Sequence, residues 1–556
     1  MSYLINTEIF REYDIRGVAE RDLTSPVTEA LGRAFGAYIK PQGIDTVTIG
    51  YDARQSSPRL CDDIVRGLTA GGINATILGL CPTPALYFSL YHLNTGAGIM
   101  ITGSHNPAEF NGFKLCVGKD TIYGEEIQKL RQIMEAAHSS GLVAEKKTEE
   151  TARSSSLIAD KKTGETAHSS SLVADKKTGE TARRSSLVAK NAPSHELPAT
   201  SHGSVMYGSV THRPILPAYI NCLRDKFKGQ PDIPLKIVLD SGNGTAGLVA
   251  PEVIRSMGCE VIELFSEPDG RFPNHHPDPT IPKNLTTLIE TVRSVKADAG
   301  IAFDGDSDRI GAVDEQGNIL WGDQLMVIFS RAILKNIPGA TIVSEVKCSQ
   351  TMYDDIRAHG GKAVMWKAGH SLIKAKMKEL HAVMAGEMSG HLFFADHYFG
   401  YDDAIYAACR LVEILKRIRA TAMTAHSSLL IAKQNQELPA ISHVPGADTL
   451  SSLLSDLPKT FNTPEIRFDC PDAIKFKVVE KAQEIFTRGD GLAERPKEVI
   501  TVDGVRAIFE KGWGLIRASN TQPVLVMRFE AVDSVSLAAI QKMMEQEVNA
   551  IVSSLA

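Results

Sequence analysis

Two short segments of this 556-residue chain carry side chains suited to moving a phosphoryl group. Residues 102–107 read Thr-Gly-Ser-His-Asn-Pro and place the hydroxyl of Ser104 in a turn-like setting. Residues 304–309 read Asp-Gly-Asp-Ser-Asp-Arg, so three carboxylates recur at alternate positions and an arginine follows them. Alternating carboxylates on a short, glycine-containing loop can converge on one Mg²⁺ ion, which prefers oxygen ligands. A nucleophilic hydroxyl and a hard-cation site together indicate phosphoryl transfer, because the metal neutralises charge on the moving group.

Each segment also has an ordinary interpretation. Ser104 could belong to a simple surface turn, and an Asp-x-Asp-x-Asp run could be a calcium-binding loop. The neighbouring sequence favours phosphoryl transfer, because the two segments follow predicted apolar strands at residues 97–102 and 299–303. Open α/β sheets place their ligand sites at the carboxyl ends of such strands.

The rest of the chain reads as repeated α/β units that would position these two loops. A helix is predicted over residues 57–68, with a proline suited to its first turn. A glycine-rich turn at residues 241–247 could cradle phosphate, but a structural turn is the favoured interpretation. Further strands are predicted at residues 46–50, 75–78, 236–240, 341–344, 364–367, 382–385 and 499–502.

Four more segments, taken with the first two, carry a family resemblance. In chain order they lie at residues 10–17 (Phe-Arg-Glu-Tyr-Asp-Ile-Arg-Gly), 111–114 (Asn-Gly-Phe-Lys), 386–391 (Gly-Glu-Met-Ser-Gly-His) and 517–523 (Arg-Ala-Ser-Asn-Thr-Gln-Pro). With these six motifs in order, the chain resembles the α-D-phosphohexomutases, within them the phosphomannomutase/phosphoglucomutase branch. The resemblance implies three similar mixed α/β domains of the βαβ type and a smaller C-terminal α+β domain around a central cleft. We expect these domains at residues 1–213, 214–318, 319–458 and 459–556.

The resemblance also assigns roles to the first two loops. Ser104 is expected to carry the phosphoryl group and to lie at the metal. Asp304, Asp306 and Asp308 are the expected Mg²⁺ ligands, and Arg309 is expected to neutralise a phosphoryl group. His105 would either contact the same phosphate or orient the loop.

Substrate contacts are expected from the other motifs. In the family, Glu387 and Ser389 would hold sugar hydroxyls, and a second phosphate would be bound by Arg517, Ser519, Asn520 and Thr521. Tyr13, Lys347 and His370 are further expected substrate contacts. For proton transfer the candidates are Arg16, Lys114, His370 and His391, with Lys114 and His391 preferred.

The expected reaction interconverts hexose 6-phosphate and hexose 1-phosphate, for mannose and also for glucose. Phosphorylated Ser104 would donate to the sugar phosphate, and the resulting hexose 1,6-bisphosphate would also prime the enzyme. The alternatives are a phosphoglucosamine mutase, a metal-dependent sugar-phosphate phosphatase and a non-catalytic binding protein. The separate arginine motif at residues 517–523 argues against a phosphatase. The presence of Ser104 and all three aspartates argues against a non-catalytic binding protein.

The composition of the chain gives no sign of a nucleic-acid or membrane partner. The net charge of −6 gives no reason to expect a nucleic acid or an anionic membrane as partner. No apolar run reaches the roughly 18 residues of a membrane span, and the eight cysteines are scattered without a Cys-x-x-Cys motif. We expect a cytoplasmic enzyme that acts on sugar phosphates as a monomer.

Two stretches fall outside the motif pattern. Residues 138–190 repeat every 15 residues with serine-rich units, which carry too little apolar surface to offset the entropy of ordering. The sequence therefore predicts a disordered insert at about 138–205, although a 15-residue period could in principle wind a right-handed coil. A second insert, at about 420–447, echoes the end of the first.

Overall fold

The computed structural model describes residues 5–139, 207–434, 448–520 and 522–555. Residues 140–205 of the first predicted insert, residues 435–447 of the second, and Thr521 lie outside these residues. Residues 420–434 of the second predicted insert are helical. Within them the chain forms four β-sheets in sequence order, each with its own helices. No helix of the described residues is long and apolar enough to cross a membrane.

The first sheet has seven strands, and its central strands are parallel. Its strands are β1 (Ile15–Val18), β2 (Thr46–Tyr51), β3 (Asn74–Leu80), β4 (Ala97–Ile101), β5 (Phe110–Val117), β6 (Asp120–Thr121) and β7 (Val210–His212). Its helices are α1 (Ser25–Ile39), α2 (Ser57–Ala70), α3 (Thr83–His92) and α4 (residues 125–139). The order is β1-β5-β4-β2-β3-β7, with β6 beside β5. Apolar residues of α1, α2 and α4 share one buried cluster, whereas those of α3 join a second. The central strands are therefore covered on both faces, which explains their continuous apolar sequence.

The second sheet carries the aspartate loop, residues 304–309, at the end of one of its strands. Its strands are β8 (Leu235–Asp240), β9 (Cys259–Leu264), β10 (Ala299–Phe303), β11 (Ile310–Asp314) and β12 (Ile319–Leu320), in the order β12-β11-β10-β8-β9. Its helices are α5 (Leu216–Lys226), α6 (Ala250–Ser256) and α7 (Thr286–Val295). All five residues of β10 are buried, and its carboxyl end opens into Asp304.

The third sheet has four strands in the order β14-β13-β15-β16. They are β13 (Thr341–Glu345), β14 (Lys362–Trp366), β15 (Met384–Gly386) and β16 (Leu392–Phe394). The helices are α8 (Gly322–Leu334), α9 (Gln350–Ala358), α10 (His370–Glu379) and α11 (Ala404–Gln434). Residues of α3, α5, α6, α8, α9 and α11 share one large core, which joins the first three units.

The last sheet is antiparallel and has both helices on one face. Its strands are β17 (Phe461–Asn462), β18 (Ile466–Asp469), β19 (Glu498–Ile500), β20 (Val505–Ile508), β21 (Gly512–Ala518) and β22 (Val524–Ala531), and its helices are α12 (Asp472–Arg488) and α13 (Ser534–Leu555). On the other face, Trp513 and Leu515 pack against Val346 of the third unit. Three mixed α/β units and a smaller α+β unit are the fold class that the sequence predicts.

Short 3₁₀ turns complete the chain at Thr7–Ile9, Lys40–Gln42, Thr245–Leu248, Pro282–Leu285 and Ser451–Leu454. The four predicted motif loops that follow strands lie after β4, β10, β15 and β21. Contacts between the units bring these motifs together: Ser104 Oγ lies 2.7 Å from Asp304, Arg309 Nε lies 2.9 Å from His391, and Asn520 Nδ2 lies 3.0 Å from the Tyr13 hydroxyl.

Candidate active site

The serine loop, residues 102–107, is held from behind by the buried Arg54. The guanidinium donates hydrogen bonds to four backbone carbonyls, those of Ser104 (2.8 Å), Asn106 (2.6 Å), Pro107 (2.5 Å) and Phe110 (3.0 Å). A Cβ on Gly103 would lie 2.5 Å from Arg54 Cζ, so only glycine fits there. One arginine therefore fixes the path of the loop.

Ser104 itself points at the aspartate loop. Its backbone is left-handed, with φ of 47°, and its Oγ donates a hydrogen bond to Asp304 Oδ2 at 2.7 Å. The same Oγ lies 3.1 Å from His105 Nδ1. Desolvation, together with the charges of Arg309 and Arg16, lowers the pKa of His105 well below its ordinary value. A neutral imidazole and a carboxylate thus flank the predicted nucleophile.

The three aspartates are fully buried and Lys114 of β5 neutralises two of them. Lys114 Nζ donates to Asp306 Oδ2 at 2.7 Å and also contacts Asp308 Oδ2. Burial and the two neighbouring aspartates raise the pKa of Asp304 well above its usual range. Burial also opposes ionisation of Asp306, but Lys114 outweighs it and holds the pKa of Asp306 below its usual range. Burial alone would lower the pKa of Lys114, yet the surrounding aspartates raise it.

The aspartate loop has the chemistry of a divalent-cation site. Asp304, Asp306 and Asp308 bring one oxygen each within 4.8 Å of one another. Asp306 Oδ1 and Asp308 Oδ1 are buried without a hydrogen-bond partner among the described residues. Unpaired buried carboxylate oxygens are costly without a cation, so the donor set fits Mg²⁺. After Arg309 the chain enters β11 instead of continuing as the 12-residue loop of a calcium hand.

Contacts from the first two units hold the aspartate loop in place. Thr83, at the start of α3, donates from Oγ1 to Asp306 Oδ2 at 2.6 Å. The glycine-rich turn packs directly on the loop, with Thr245 N donating to Gly305 O at 3.1 Å. A Cβ on Gly244 would lie 2.7 Å from the same carbonyl oxygen. These contacts support the structural interpretation of the glycine-rich turn.

His391 connects the aspartates to a further buried carboxylate. Its Nε2 accepts a hydrogen bond from Arg309 Nε at 2.9 Å, and its Nδ1 lies 3.2 Å from Asp402 Oδ2. An arginine only donates, so Nε2 is the unprotonated nitrogen and Nδ1 carries the proton. The ring of His370 stacks on that of His391 with centroids 5.3 Å apart. Burial and the charge of Lys374 lower the pKa of His370 well below its ordinary value.

The predicted sugar loop, residues 386–391, ends at His391, and Glu387 N donates to His391 O at 2.9 Å. The Glu387 carboxylate is buried and accepts a hydrogen bond from Gly369 N at 2.7 Å, while Ser389 is half-buried. Glu345, at the end of β13, accepts from Met388 N at 3.1 Å. Burial raises the pKa of Glu345 to about 7, although Lys347, at 3.5 Å, opposes the shift.

The fourth unit closes the cleft with Arg517. Arg517 Nε donates to Asp503 Oδ2 at 3.0 Å, and the same oxygen accepts from Ala368 N at 3.0 Å. Tyr13 donates from its hydroxyl to Ala368 O at 2.9 Å and accepts from Asn520 Nδ2 at 3.0 Å. The first, third and fourth units therefore meet at one point. Other predicted residues lie nearby: Ser519 Oγ accepts from Gln522 N at 3.1 Å, and Arg16 pairs with Asp14.

Comparisons with known proteins agree with this arrangement. Four domain families match in order, described as phosphoglucomutase/phosphomannomutase alpha/beta/alpha domains I, II and III and the C-terminal domain, at residues 7–140, 217–317, 321–431 and 465–547. A phosphomannomutase/phosphoglucomutase of Pseudomonas syringae pv. tomato is 37% identical over 551 residues, which cover 98% of this chain and 96% of the relative. The chain belongs to the phosphoglucomutase/phosphomannomutase family.

Two further similarities concern other members of the phosphoglucomutase/phosphomannomutase family. A phosphoglucomutase of Neisseria gonorrhoeae is 36% identical over 540 residues, covering 97% of this chain and 96% of that protein. The crystal structure of a phosphoglucomutase/phosphomannomutase family protein from Burkholderia thailandensis superposes with a TM-score of 0.75 at 33% identity, covering 99% of this chain and 98% of that one.

Several supporting residues of this phosphoglucomutase/phosphomannomutase family member escaped sequence analysis. Arg54, Thr83, Glu345, Asp402 and Asp503 are mostly buried and hold the predicted side chains in place. Arg54 and Glu345 could have been identified from the sequence, because charged residues at or just past the carboxyl end of a buried parallel strand often face a ligand site. Asp402 and Asp503 are identified only by their contacts.

Proposed function

We propose that this chain interconverts the 6-phosphates and 1-phosphates of mannose and glucose through a phosphoserine at Ser104. The single observation that carries the proposal is the hydrogen bond from Ser104 Oγ to Asp304, inside a buried carboxylate cluster. A hydroxyl on a cation site, with a separate arginine across the cleft, suits a substrate that holds two phosphate positions.

The reaction has two matched half reactions. In the first, a sugar hydroxyl loses its proton and its oxygen bonds to phosphorus, while the bond from phosphorus to Ser104 Oγ breaks and Oγ takes up a proton, giving hexose 1,6-bisphosphate. In the second, Ser104 Oγ loses its proton and takes the other phosphoryl group, and the freed sugar oxygen is protonated. Arg309 would pair with the phosphoryl group, and His105 would contact it or orient the loop.

Asp304, Asp306 and Asp308 would hold Mg²⁺. When bound, the ion supplies electrostatic stabilisation of charge on the phosphoryl oxygens. Lys114 already places a positive charge between two of these carboxylates. A trace of hexose 1,6-bisphosphate would supply the first phosphoryl group to Ser104.

His391 and Lys114 are the proposed proton carriers. His391 Nε2 has a free lone pair once Arg309 turns from it to a substrate phosphoryl group, so it suits the base role. Lys114 is the proposed acid because its ammonium group lies on Asp306 and Asp308 beside the nucleophile. A cation bound by these carboxylates would weaken their hold on its proton. Arg16 and His370 are further candidates for proton transfer, and His370, whose ring stacks on that of His391, would also contact the substrate.

The remaining residues would orient the sugar phosphate. Glu387 and Ser389 would bind hydroxyls common to mannose and glucose, with Tyr13 and Lys347 as neighbouring contacts. Arg517, Ser519, Asn520 and Thr521 would bind the phosphate that is not reacting. A planar guanidinium with a permanent charge suits that role.

A coupled assay should therefore detect turnover with both mannose 1-phosphate and glucose 1-phosphate in the presence of Mg²⁺ and a trace of bisphosphate. The expectation rests on a sugar loop that reads hydroxyls shared by the two hexoses. Turnover with glucosamine phosphate alone would contradict the substrate assignment, and release of inorganic phosphate as the main product would indicate a phosphatase.

Arg517→Ala should raise KM for the sugar phosphate about 10- to 100-fold, with a smaller change in kcat. Each charge-assisted hydrogen bond to the non-reacting phosphate contributes about 1.5–3 kcal/mol, and that phosphate does not change covalently in the step. Steady-state kinetics would measure both constants, with the exposed Arg488→Ala on α12 as control. An unchanged KM would remove Arg517 from the phosphate site.

A further inference from the structure

A second cavity of about 400 Å³ lies between the first and third units. It is bordered by α3 and the β5–β6 hairpin on one side, and by α10 and the segment after β16 on the other. None of the predicted site residues lines it. Its volume falls in the range of small-molecule sites, which is roughly 300–1,000 Å³.

The cavity carries an excess of positive charge. Three lysines line it, Lys119, Lys374 and Lys378, and Asp120 is the only carboxylate among its lining residues. Asp120 is engaged by Lys378 at 2.7 Å, and both side chains are mostly exposed. Lys374 is paired with Asp402, which lies behind the cavity wall, at 3.1 Å. Lys119, which donates to the backbone carbonyl of Leu90, is then the lining lysine without a carboxylate among the described residues, and the net positive charge favours an anion.

The other lining groups are aromatic, and one of them has an unused hydroxyl. Tyr91, Phe399 and Tyr401 form one side, with the rings of Phe399 and Tyr401 stacked 5.7 Å apart. The Tyr87 side chain is only 3% exposed, and its hydroxyl has no hydrogen-bond partner within the part of the chain that the structure describes. A buried hydroxyl is rarely left unpaired, because desolvation without a hydrogen bond is costly.

We propose that this cavity binds a planar aromatic phosphate of mononucleotide size. Its phosphate would pair with Lys119 and Lys374, its ring would lie against Tyr91 and Phe399, and the Tyr87 hydroxyl would donate to it. The volume, the lysine excess and the aromatic wall each favour this class over a bare inorganic anion, which would use only the lysines.

The cavity is connected to the proposed active site through Lys374. Its Nζ donates to Asp402 Oδ1 at 3.1 Å, while Asp402 Oδ2 lies 3.2 Å from His391 Nδ1. A phosphate bound to Lys374 competes with Asp402 for the ammonium group. Asp402 then holds the His391 ring differently, so the ligand lowers kcat while leaving KM for the sugar phosphate unchanged. This coupling rests on the proposed function, whereas binding to the cavity does not.

The test is equilibrium dialysis of adenosine and guanosine monophosphates against the full chain, with glucose 1,6-bisphosphate present to occupy the proposed active site. Saturable binding with a Kd below about 1 mM is expected. Lys119→Glu should weaken binding about 10-fold or more, whereas Lys378→Glu, at a lysine already paired with Asp120, and Tyr87→Phe should each weaken it less. The matched control is Lys129→Glu, an exposed lysine of α4 outside the cavity. All four variants should keep their basal sugar-phosphate turnover.

Three results would overturn the proposal: no saturable nucleotide binding, equal binding of inorganic phosphate and nucleotide, or binding that the bisphosphate displaces and Lys119→Glu leaves intact. A binding result that meets the expectation, but with kcat unaffected by the nucleotide, overturns the coupling through Asp402. Because dialysis does not depend on turnover, failure of the proposed mutase activity would be seen separately from failure of the cavity.

Discussion

Replacing Ser104 with alanine should lower kcat about 10⁴- to 10⁶-fold, the scale seen when a nucleophile is removed. The side chain donates to Asp304 at 2.7 Å and lies on a loop that Arg54 fixes through backbone carbonyls, so the loop should keep its path without the hydroxyl. Intact-mass measurement after incubation with hexose 1,6-bisphosphate should show one phosphoryl adduct on the natural chain and none on the variant.

Two controls make this result specific. Ser104→Gly removes the same hydroxyl but relaxes the left-handed backbone at this position, so agreement between the two variants excludes strain as the cause. Ser139→Ala, at the exposed end of α4, should retain both activity and the adduct. A phosphoryl adduct that persists on Ser104→Ala would show that another residue carries the group.

The parallel strands were predictable from the sequence because they are buried on both faces. The predicted strand at residues 299–303 coincides with β10, and the one at 97–102 differs from β4 by one residue. The helix predicted over 57–68 is observed over Ser57–Ala70. Continuous apolar runs bounded by turns give a clear signal in such sheets.

The antiparallel strands beside them were not predictable in the same way. Residues 111–114 contain Asn-Gly, which by itself indicates a turn, yet they lie inside β5, between β1 and β4. A Cβ at Gly112 would lie 2.5 Å from Ile15 O, so glycine is needed for close strand approach rather than for a turn. Tertiary packing therefore overrides the local preference at this position.

The residues of the candidate site also differ in how well the sequence predicts them. Side chains that would touch substrate sit in short motifs and could be named from sequence, whereas the groups that orient them are single residues distant in the chain. Asp402 reaches His391, and Asp503 reaches both Arg517 and Ala368, only through the fold. No sequence spacing relates residues 503 and 368, so the contact between them cannot be predicted from the sequence.

Replacing Asp306 with asparagine should lower kcat about 10²- to 10³-fold, because one preorganised charge at the reacting group is lost. Asp306 Oδ2 accepts from both Thr83 and Lys114, while its Oδ1 is the buried oxygen without a partner. Asparagine keeps the shape and one acceptor oxygen but removes the charge that a divalent cation requires. Mg²⁺ affinity, measured by isothermal titration calorimetry, should therefore fall by about 100-fold or more.

Melting temperature separates this loss of charge from a loss of fold. Lys114 holds the pKa of Asp306 below its usual range, so the charged carboxylate stabilises the fold, and neutralising it should lower the melting temperature of the Mg²⁺-free protein modestly without unfolding it. The stabilisation that Mg²⁺ gives to the natural chain should largely disappear in the variant, since binding to the folded state is what raises its stability. Asp62→Asn, on the exposed face of α2, should preserve both affinity and turnover. Full Mg²⁺ affinity in Asp306→Asn would mean that the cation is held without this carboxylate.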